Sequence, residues 1–137
     1  METINVVENT KLEALFVNDN LLTGIDISSN TLLKRFGIMR NNIIGTINVG
    51  SNNLLEELFI HETGISAIAL NGNPNLTKLF INNNDLTSLD ISLNMSLTEI
   101  RCQNNQLTSL DISTNQQINR VDAHYNTNLT LITDAII

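Results

Sequence analysis

Residues 97–117 read LTEIRCQNNQLTSLDISTNQQ and contain two similar halves. LTEIRCQNN and LTSLDISTN both follow the pattern L-x-x-[LI]-x-[IC]-x-x-N, in which x is mostly polar. Sliding this pattern along the chain finds twelve half-repeats, and eleven of them end at Asn while one ends at Thr63. The ends are ten or eleven residues apart, so two halves make a unit of about 21 residues, a period typical of solenoid proteins. The chain is therefore a repeat protein.

The repeats extend over nearly the whole chain. A half-repeat at residues 4–10 precedes full units that open at Leu12, Leu33, Leu55, Leu76, Leu97 and Ile118. Residues 129–137 form a degenerate end, where Leu129 and Ile132 are the expected inward positions of another half. A chain of 137 residues is long enough for one domain. We predict a single solenoid domain over residues 1–137, with about six coils of 21–22 residues.

Each half-repeat has the alternation of a short strand with one buried side. Ile100 points inward, Arg101 outward and Cys102 inward, and the inward positions of all units are apolar. Such a segment is too short to fold alone, so its stability must come from stacking on the equivalent segment of the next coil. Stacked strands lie about 4.8 Å apart. The pattern therefore predicts parallel ladders of equivalent residues along the solenoid.

Asn occupies the corner that closes nearly every half-repeat. A buried amide can donate to and accept from the backbone of its own turn and of a neighbouring coil. The first-half corners are predicted to be structural turns at Asn20, Asn41, Asn84, Asn105 and Asn126. Thr63 replaces Asn at one corner, which predicts a local irregularity there.

Composition and charge exclude several classes of function. The net charge of −7 argues against nucleic-acid binding and against adhesion to anionic membranes, because both use an excess of Lys and Arg. No apolar run is long enough to span a bilayer, and the start METINVVENT lacks the pattern of a signal peptide. Cys102 is the single cysteine and falls at an inward position, which favours a buried apolar filler over a reactive thiol.

The two kinds of half-repeat differ in their outward residues. The second halves, such as SLDISLN and SLDISTN, show mostly small polar residues outside. The first halves, such as LFVNDN, LFIHET and VDAHYN, vary much more. All Lys and Arg, both His, all five aromatics and the one Cys lie in or beside first halves. The first halves therefore form the variable face, where a specific ligand is expected.

Ladder stacking converts the variable outward residues into columns. One column reads Phe16, Gly37, Phe59, Phe80, Arg101, Asp122. Phe59 and Phe80 become direct neighbours, and Phe16 lies beyond Gly37, so an exposed apolar patch is expected. The predicted ligand-binding residues are those with types enriched at interface centres and their polar neighbours: Phe16, Met39, Arg40, Phe59, His61, Phe80, Arg101, Gln103, His124 and Tyr125. Packing of the rings under another domain is the alternative.

Catalytic and metal chemistry find little support in the sequence. His61 and His124 lie three coils apart, too far to share a metal ion. Asp122 and His124 alternate on one strand, yet no nucleophile is placed beside them. Asp26, Asp90 and Asp111 form a partial column, which we interpret as solvated charges because the Gly-rich calcium-binding repeat is absent. We predict no enzyme activity, no metal and no cofactor.

The units at Leu76 and Leu97 resemble the 21-residue leucine-rich repeats of bacterial surface proteins, both the internalin-J-like and the Bacteroidetes-type "LTSLDVS…NCSNNQ" repeats. The resemblance covers residues 4–132 and is strongest from Leu76 to Asn115. It implies a right-handed leucine-rich-repeat solenoid. A parallel β-sheet is expected on the concave, variable face, with short strand-like or irregular segments opposite and little helix. In that family a Cys recurs at the inward first-strand position, where this chain keeps only Cys102.

The resemblance further implies display on a cell surface or secretion, and a binding function. We predict a non-catalytic module for protein binding or cell-surface adhesion through the variable face, with a protein or a surface glycan as the partner. The alternative is a structural or array-binding role on a glycan- or ice-like surface, through the Thr/Ser face that the second halves form with Thr23, Thr46, Thr87, Ser88, Thr108 and Ser109. Neither chain end carries a clear polar cap. The sequence therefore also predicts a segment of a longer protein, or ends covered by a partner or by end-to-end self-association.

Overall fold

The computed structural model describes residues 1–133, which contain eight short strands and no helix. The strands are β1 Ala14–Phe16, β2 Arg35–Gly37, β3 Glu57–Phe59, β4 Lys78–Phe80, β5 Glu99–Arg101, β6 Ser109–Asp111, β7 Arg120–Asp122 and β8 Thr130–Ile132. Each strand has three residues, as expected where a coil turns twice within 21 or 22 residues. None of the described residues belongs to a helix that could cross a membrane.

The strands form two parallel sheets. Six first-half strands pair in the order β1-β2-β3-β4-β5-β7, and β6 pairs with β8 on the opposite side of the coil. Equivalent positions are in register, so that Leu79 lies between Leu58 and Ile100. The predicted solenoid of about six coils, with its main sheet on the variable face and mostly irregular segments opposite, is confirmed.

The inward residues form one continuous apolar core. Leu58, Leu79 and Ile100 are 0% exposed. Cys102 belongs to the same buried layer as these residues, and burial raises the pKa of its thiol to about 12, with the negative charge of Asp122 as a smaller cause. The thiol therefore stays protonated at neutral pH, and Cys102 fills the core as a small apolar residue.

The first-half corners are held together by Asn side chains that bridge consecutive coils. The Nδ2 of Asn105 donates to the carbonyls of Cys102 in its own coil and Ile81 in the preceding one, both at 3.0 Å. Its Oδ1 accepts from the backbone N–H of Leu86 at 3.0 Å. Asn41 and Asn126 make the same three kinds of bond. Asn20 lies in the first coil and bonds only within its own turn.

The second-half corners use Asn differently. The Nδ2 of Asn73 donates to Val49 and Asn52 of the preceding coil, both at 3.0 Å. The neighbouring N–H groups are already used, because Asn73 itself donates to Leu70 and Leu76 donates back to Asn73. Oδ1 is consequently buried without a partner at Asn30, Asn52, Asn73 and Asn115. These amides act as donors alone, which differs from the donor-and-acceptor role expected of every corner.

The Thr63 corner has its own hydrogen-bond pattern. Its Oγ1 lies 3.0 Å from the carbonyl oxygen of Ile60, and the side chain makes no bond to the preceding coil as the Nδ2 of Asn does elsewhere. The backbone carbonyl of Thr63 makes that link instead, because it accepts from the N–H of Ile43 at 3.2 Å. Asn84 of the next coil accepts from the backbone N–H groups of both Thr63 and Gly64, at 3.1 and 2.9 Å. Gly64 has a φ of 79°, which the missing Cβ permits.

The C-terminal half-repeat is displaced by one residue from the predicted register. Leu131, not Ile132, lies opposite the inward Leu110. Leu131 follows Leu110 by the ordinary 21 residues, so the coil keeps its period and the predicted alignment on Leu129 and Ile132 was one residue too late. The position 21 residues after Leu107 is Asn128, which has a φ of 59°. Residues 134–137 of the degenerate end lie outside the described residues.

Candidate functional site

The outward side of the six-stranded sheet, called the sheet face below, consists of four columns. The first two follow directly from the strand register: Ala14, Arg35, Glu57, Lys78, Glu99, Arg120, and beside them Phe16, Gly37, Phe59, Phe80, Arg101, Asp122. The other two continue past the strand ends: Asn18, Met39, His61, Asn82, Gln103, His124, and then Asp19, Arg40, Glu62, Asn83, Asn104, Tyr125. All ten predicted ligand-binding residues belong to these columns.

The first column, called the charged column below, was missing from the sequence prediction. Its residues precede the aromatic positions by two, so the same strand alternation places them on the same face. From β2 to β7 the charges alternate between positive and negative along the column. Both the position of this column and its alternating charges could therefore have been read from the alignment of the first halves.

Three phenylalanine rings form a continuous stripe across the sheet face. The centroids of Phe59 and Phe80 are 5.1 Å apart and the rings meet edge to face at 70°. Phe16 reaches Phe59 across the intervening β2, with a centroid distance of 6.2 Å. Phe16 is 48% exposed, and the other two rings are half-buried. Phe16, Phe59 and Phe80, named the Phe stripe, make an apolar surface over β1 to β4.

Gly37 allows Phe16 to join the stripe. A Cβ at position 37 would lie 2.6 Å from Cδ1 of Phe16, closer than any real contact. The ring therefore lies over the backbone of β2, where any other residue would displace it. The sequence places Phe16 beyond Gly37, but the closure of this gap by the ring is visible only in three dimensions.

The variant Gly37→Ala is expected to separate Phe16 from Phe59. The added methyl group pushes the Phe16 ring outward, and the NMR cross-peaks between the two rings should disappear. The free energy of unfolding should change by no more than about 1 kcal/mol, because the gain in strand propensity offsets the strain. Gly24→Ala is the control, since nothing lies within 4 Å of a Cβ there. Persistence of the cross-peaks in Gly37→Ala would contradict this role of Gly37.

Arg101 extends the Phe stripe with a cation. Its guanidinium carbon lies 4.2 Å from the ring centroid of Phe80, within the range of a cation–π contact. Its Nη2 lies 2.8 Å from Oε1 of Glu99, which also lies 3.4 Å from Nε of Arg120. Two cations therefore share one carboxylate at the C-terminal end of the stripe.

Ion pairs between consecutive coils hold other side chains of this face and its margin. Lys34 bonds Glu13 and Lys78 bonds Glu57, each at 2.8 Å. Arg40 forms a two-pronged pair with Asp19, with Nη2 to Oδ2 at 2.7 Å. The hydrogen bond from Lys34 lowers the pKa of Glu13, and the bond from Arg40 lowers the pKa of Asp19. Because all these groups are solvated, the pairs orient side chains more than they stabilise the fold.

The remaining predicted residues line the third and fourth columns. Met39 is half-buried beside the stripe, and Nδ1 of His61 lies 3.2 Å from Glu62. At the far end, His124 bonds Asp122, and its ring packs 4.6 Å from that of Tyr125, which is 77% exposed. Oε1 of Gln103 is buried with no partner among the described residues. Residues 1–133 hold no group of three potential metal ligands.

The fourth column has a left-handed backbone in every coil. The φ values lie between 51° and 58° at Asp19, Arg40, Glu62, Asn83, Asn104 and Tyr125. Asn and Asp tolerate this conformation, whereas other side chains adopt it at a cost of roughly 1–2 kcal/mol. Arg40, Glu62 and Tyr125 occupy it and are exposed. The turn itself therefore does not favour these three side chains.

The opposite side of the coil has a different chemistry. Asp26, Asp90 and Asp111 each accept a hydrogen bond from the backbone N–H of the Ser two residues later, and hydrogen bonding to that Ser lowers the pKa of each carboxyl. These Asp residues are turn formers, a more specific role than the solvated charges we expected, and the D-x-S spacing was the available signal. Ile44, 76% exposed, interrupts the regularity of the Thr/Ser face.

Structural comparison places this architecture among known proteins. The functional domain of InlJ from Listeria monocytogenes, which includes a cysteine ladder, superimposes with a TM-score of 0.92 at 27% identity over 95% of this chain. The fold is a leucine-rich-repeat solenoid. An internalin from Listeria monocytogenes superimposes with a TM-score of 0.58 at 17% identity over 93% of this chain, and it has the same fold. The resemblance to bacterial leucine-rich-repeat proteins is confirmed.

A third leucine-rich-repeat neighbour was solved with a ligand. The ectodomain of the membrane receptor kinase GASSHO1/SCHENGEN3 from Arabidopsis thaliana, in complex with CASPARIAN STRIP INTEGRITY FACTOR 2, has a TM-score of 0.75 at 18% identity over 91% of this chain. This chain spans 29% of the InlJ chain, 56% of the internalin chain and 17% of the receptor chain. No family model and no curated protein sequence matches it.

Proposed function

We propose that this leucine-rich-repeat segment is a non-catalytic protein-binding module whose ligand lies on the sheet face. The observation that carries the proposal is the Phe stripe. Three aromatic rings, with Phe59 in contact with both of the others, lie on a sheet that no other element of residues 1–133 covers. Exposed apolar surfaces of this kind commonly mark a contact site. Aromatic residues are also the types that dominate binding energy at interface centres.

The polar residues around the stripe supply directional contacts. Arg101 is held over Phe80, and Arg40 is held by Asp19, so both guanidinium groups are oriented before a ligand arrives. His61, Gln103, His124 and Tyr125 provide donors and acceptors on the same face. A rigid, pre-oriented set of this kind loses little conformational entropy on binding.

The proteins that share this fold suggest where the binding module acts. Two of the three neighbours described above are Listeria proteins, an internalin among them, and the third is a receptor ectodomain. We extend the proposal to a protein that acts in adhesion or recognition at a cell surface or after secretion. No enzymatic role is proposed, and a surface glycan is the alternative ligand.

The first experiment compares capture of partners by wild type and by the double variant Phe59→Ser with Phe80→Ser. Both rings are half-buried on the sheet face and none of their inward neighbours changes, so the fold should survive. Loss of both rings should weaken binding by at least about tenfold, since truncation of central aromatic anchors commonly has effects of this size. Immobilised protein would be exposed to envelope or host-cell extract, and bound proteins quantified by mass spectrometry.

The matched control lies on the opposite side of the coil. Thr87 and Thr108 are both exposed there, so replacing both by valine preserves shape and removes hydroxyl groups from the Thr/Ser face. The proposal expects this control to capture the same proteins as wild type. Partners lost with the Thr variants and retained by the Phe variant would move the site to the Thr/Ser face. Circular dichroism would establish that both variants are folded.

A further inference from the structure

Five of the seven Lys and Arg side chains are paired with carboxylates. Within residues 1–133, an Asp or Glu oxygen lies within ion-pair distance of Lys34, Arg40, Lys78, Arg101 and Arg120. Lys11 and Arg35 make no such pair in the same range, and only Arg35 belongs to the sheet face. Arg35 is therefore the one cation of the described sheet face that lacks an anionic partner.

The surroundings of Arg35 explain why it is unpaired. Its register partners in the charged column are Ala14 on one side and Glu57 on the other. Ala14 carries no polar group. The carboxylate of Glu57 is turned to the opposite side, where it accepts from Nζ of Lys78 at 2.8 Å. Arg35 is exposed, and its guanidinium, which carries five N–H donors, has no ion-pair partner within residues 1–133.

Arg35 lies beside the Phe stripe. Gly37, over which the ring of Phe16 lies, is the next outward position on the same strand, about 7 Å along it. Gly37 is also in register with Phe59. A ligand that covers the Phe16–Phe59 contact therefore reaches the guanidinium without leaving the sheet face.

We propose that the ligand of the sheet face is a peptide segment that places an apolar side chain on the Phe stripe and a single carboxylate on Arg35. This inference rests on the proposed binding function and specifies its partner chemistry. A carboxylate matches the planar fork of a guanidinium in a two-pronged pair, and the pair strengthens when the apolar part of the ligand excludes water.

The number of charges distinguishes this ligand from a polyanion. One unpaired cation can accommodate one negative group. Further negative charges would meet the carboxylates of Asp19, Glu57 and Glu62 on the same face, in a chain of net charge −7. Nucleic acid and other polyanions need several cations in a row, which the alternation of the charged column does not offer.

The experiment is selection from a displayed library of short random peptides. Wild type should enrich sequences that combine an apolar or aromatic residue with one Asp or Glu at a fixed spacing. Arg35→Gln should enrich the apolar residue without the acidic one. Arg35→Glu should replace the acidic preference by Lys or Arg, because a charge pair of inverted sign then becomes favourable.

Arg120→Gln is the matched control. Arg120 is exposed in the same column, and its partner Glu99 keeps Arg101 when Arg120 is removed, so no carboxylate is released. The control should select the same peptides as wild type. Lys78 is unsuitable for this purpose, because its removal would free Glu57 to pair with Arg35, its register neighbour.

A synthetic version of a selected peptide then measures how much the acidic residue contributes to the affinity. Replacing its acidic residue by the matching amide should weaken binding to wild type roughly three- to tenfold and leave binding to Arg35→Gln unchanged, as expected for a partly desolvated charge pair. High salt should reduce the difference.

The outcomes separate this inference from the function on which it rests. Peptides that require Phe59 and Phe80 but show no acidic preference, or an acidic preference that survives Arg35→Gln, would overturn the role of Arg35 and leave the binding site in place. Absence of any enrichment, or equal enrichment by the Phe59→Ser, Phe80→Ser variant, would contradict both.

Discussion

Replacement of Leu79 by alanine is expected to lower the free energy of unfolding by roughly 2–5 kcal/mol, the range for truncating a fully buried leucine. Leu79 is 0% exposed and lies in register between Leu58 and Ile100. The cavity would open in the middle of the stack, so both flanking coils lose contacts. Because each coil is stabilised only by its neighbours, a central gap also weakens the cooperativity of the array.

The measurement is equilibrium unfolding in urea, followed by circular dichroism. Leu93→Ala is the matched control, since Leu93 is 56% exposed and its truncation should change stability by less than about 0.5 kcal/mol. A reduced m-value for Leu79→Ala would indicate that the solenoid unfolds in two parts. A Leu79→Ala protein as stable as the Leu93→Ala protein would mean that the inward register is wrong.

The second large effect is expected from the corner amides, and it should differ between the two sides of the coil. Asn105→Ala removes the only acceptor of the Leu86 N–H, which is then buried without a partner. The carbonyls of Ile81 and Cys102 keep one donor each, from Asn84 and Asn126. With the lost bonds and the orphaned N–H together, we expect a loss of about 2–4 kcal/mol.

Asn73→Ala provides the comparison from the opposite side. The carbonyl of Asn52 still accepts from the N–H of Leu55, and that of Val49 from the N–H of Asn52. The substitution also removes an Oδ1 that had no partner. The loss should therefore be about 1 kcal/mol, the ordinary net value of hydrogen bonds that leave no orphan. Equal losses in Asn73→Ala and Asn105→Ala, measured by urea unfolding, would show that the two ladders are equivalent.

The sequence predicted the positions of the sheet face well because the repeat is short and regular. Once Leu79 is known to point inward, alternation places Phe80 outward, and a 21-residue shift places Arg101 beside it. The prediction failed after Asn126, where Leu129 and Ile132 fit the apolar template but the chain keeps the 21-residue shift, which pairs Leu110 with Leu131. An alignment error of one residue matters most in a pattern of period two, because it exchanges the inward and outward positions.

The chemistry of the corners was less accessible to sequence reasoning. Asn recurs at both corners of the coil, so the sequence suggests the same hydrogen-bonding role for every corner Asn. The two roles differ because the backbone N–H groups near Asn73 are consumed by a tight turn, whereas Leu86 is left to be satisfied by Asn105. Which N–H is free depends on turn geometry, and two turns of different geometry can share the same residue.

The sequence by itself determined the repeat period, the inward residues and the columns of the sheet face. It could do so because similar coils stack, so that residues one repeat apart in the chain become neighbours in space. Only the tertiary structure decided which neighbours within a column interact. Glu57 lies between Arg35 and Lys78 in register and bonds Lys78, and Phe16 reaches Phe59 by lying over Gly37. These choices depend on rotamers and on contacts between side chains of different coils. The free cation beside an aromatic stripe is therefore a property of the folded molecule.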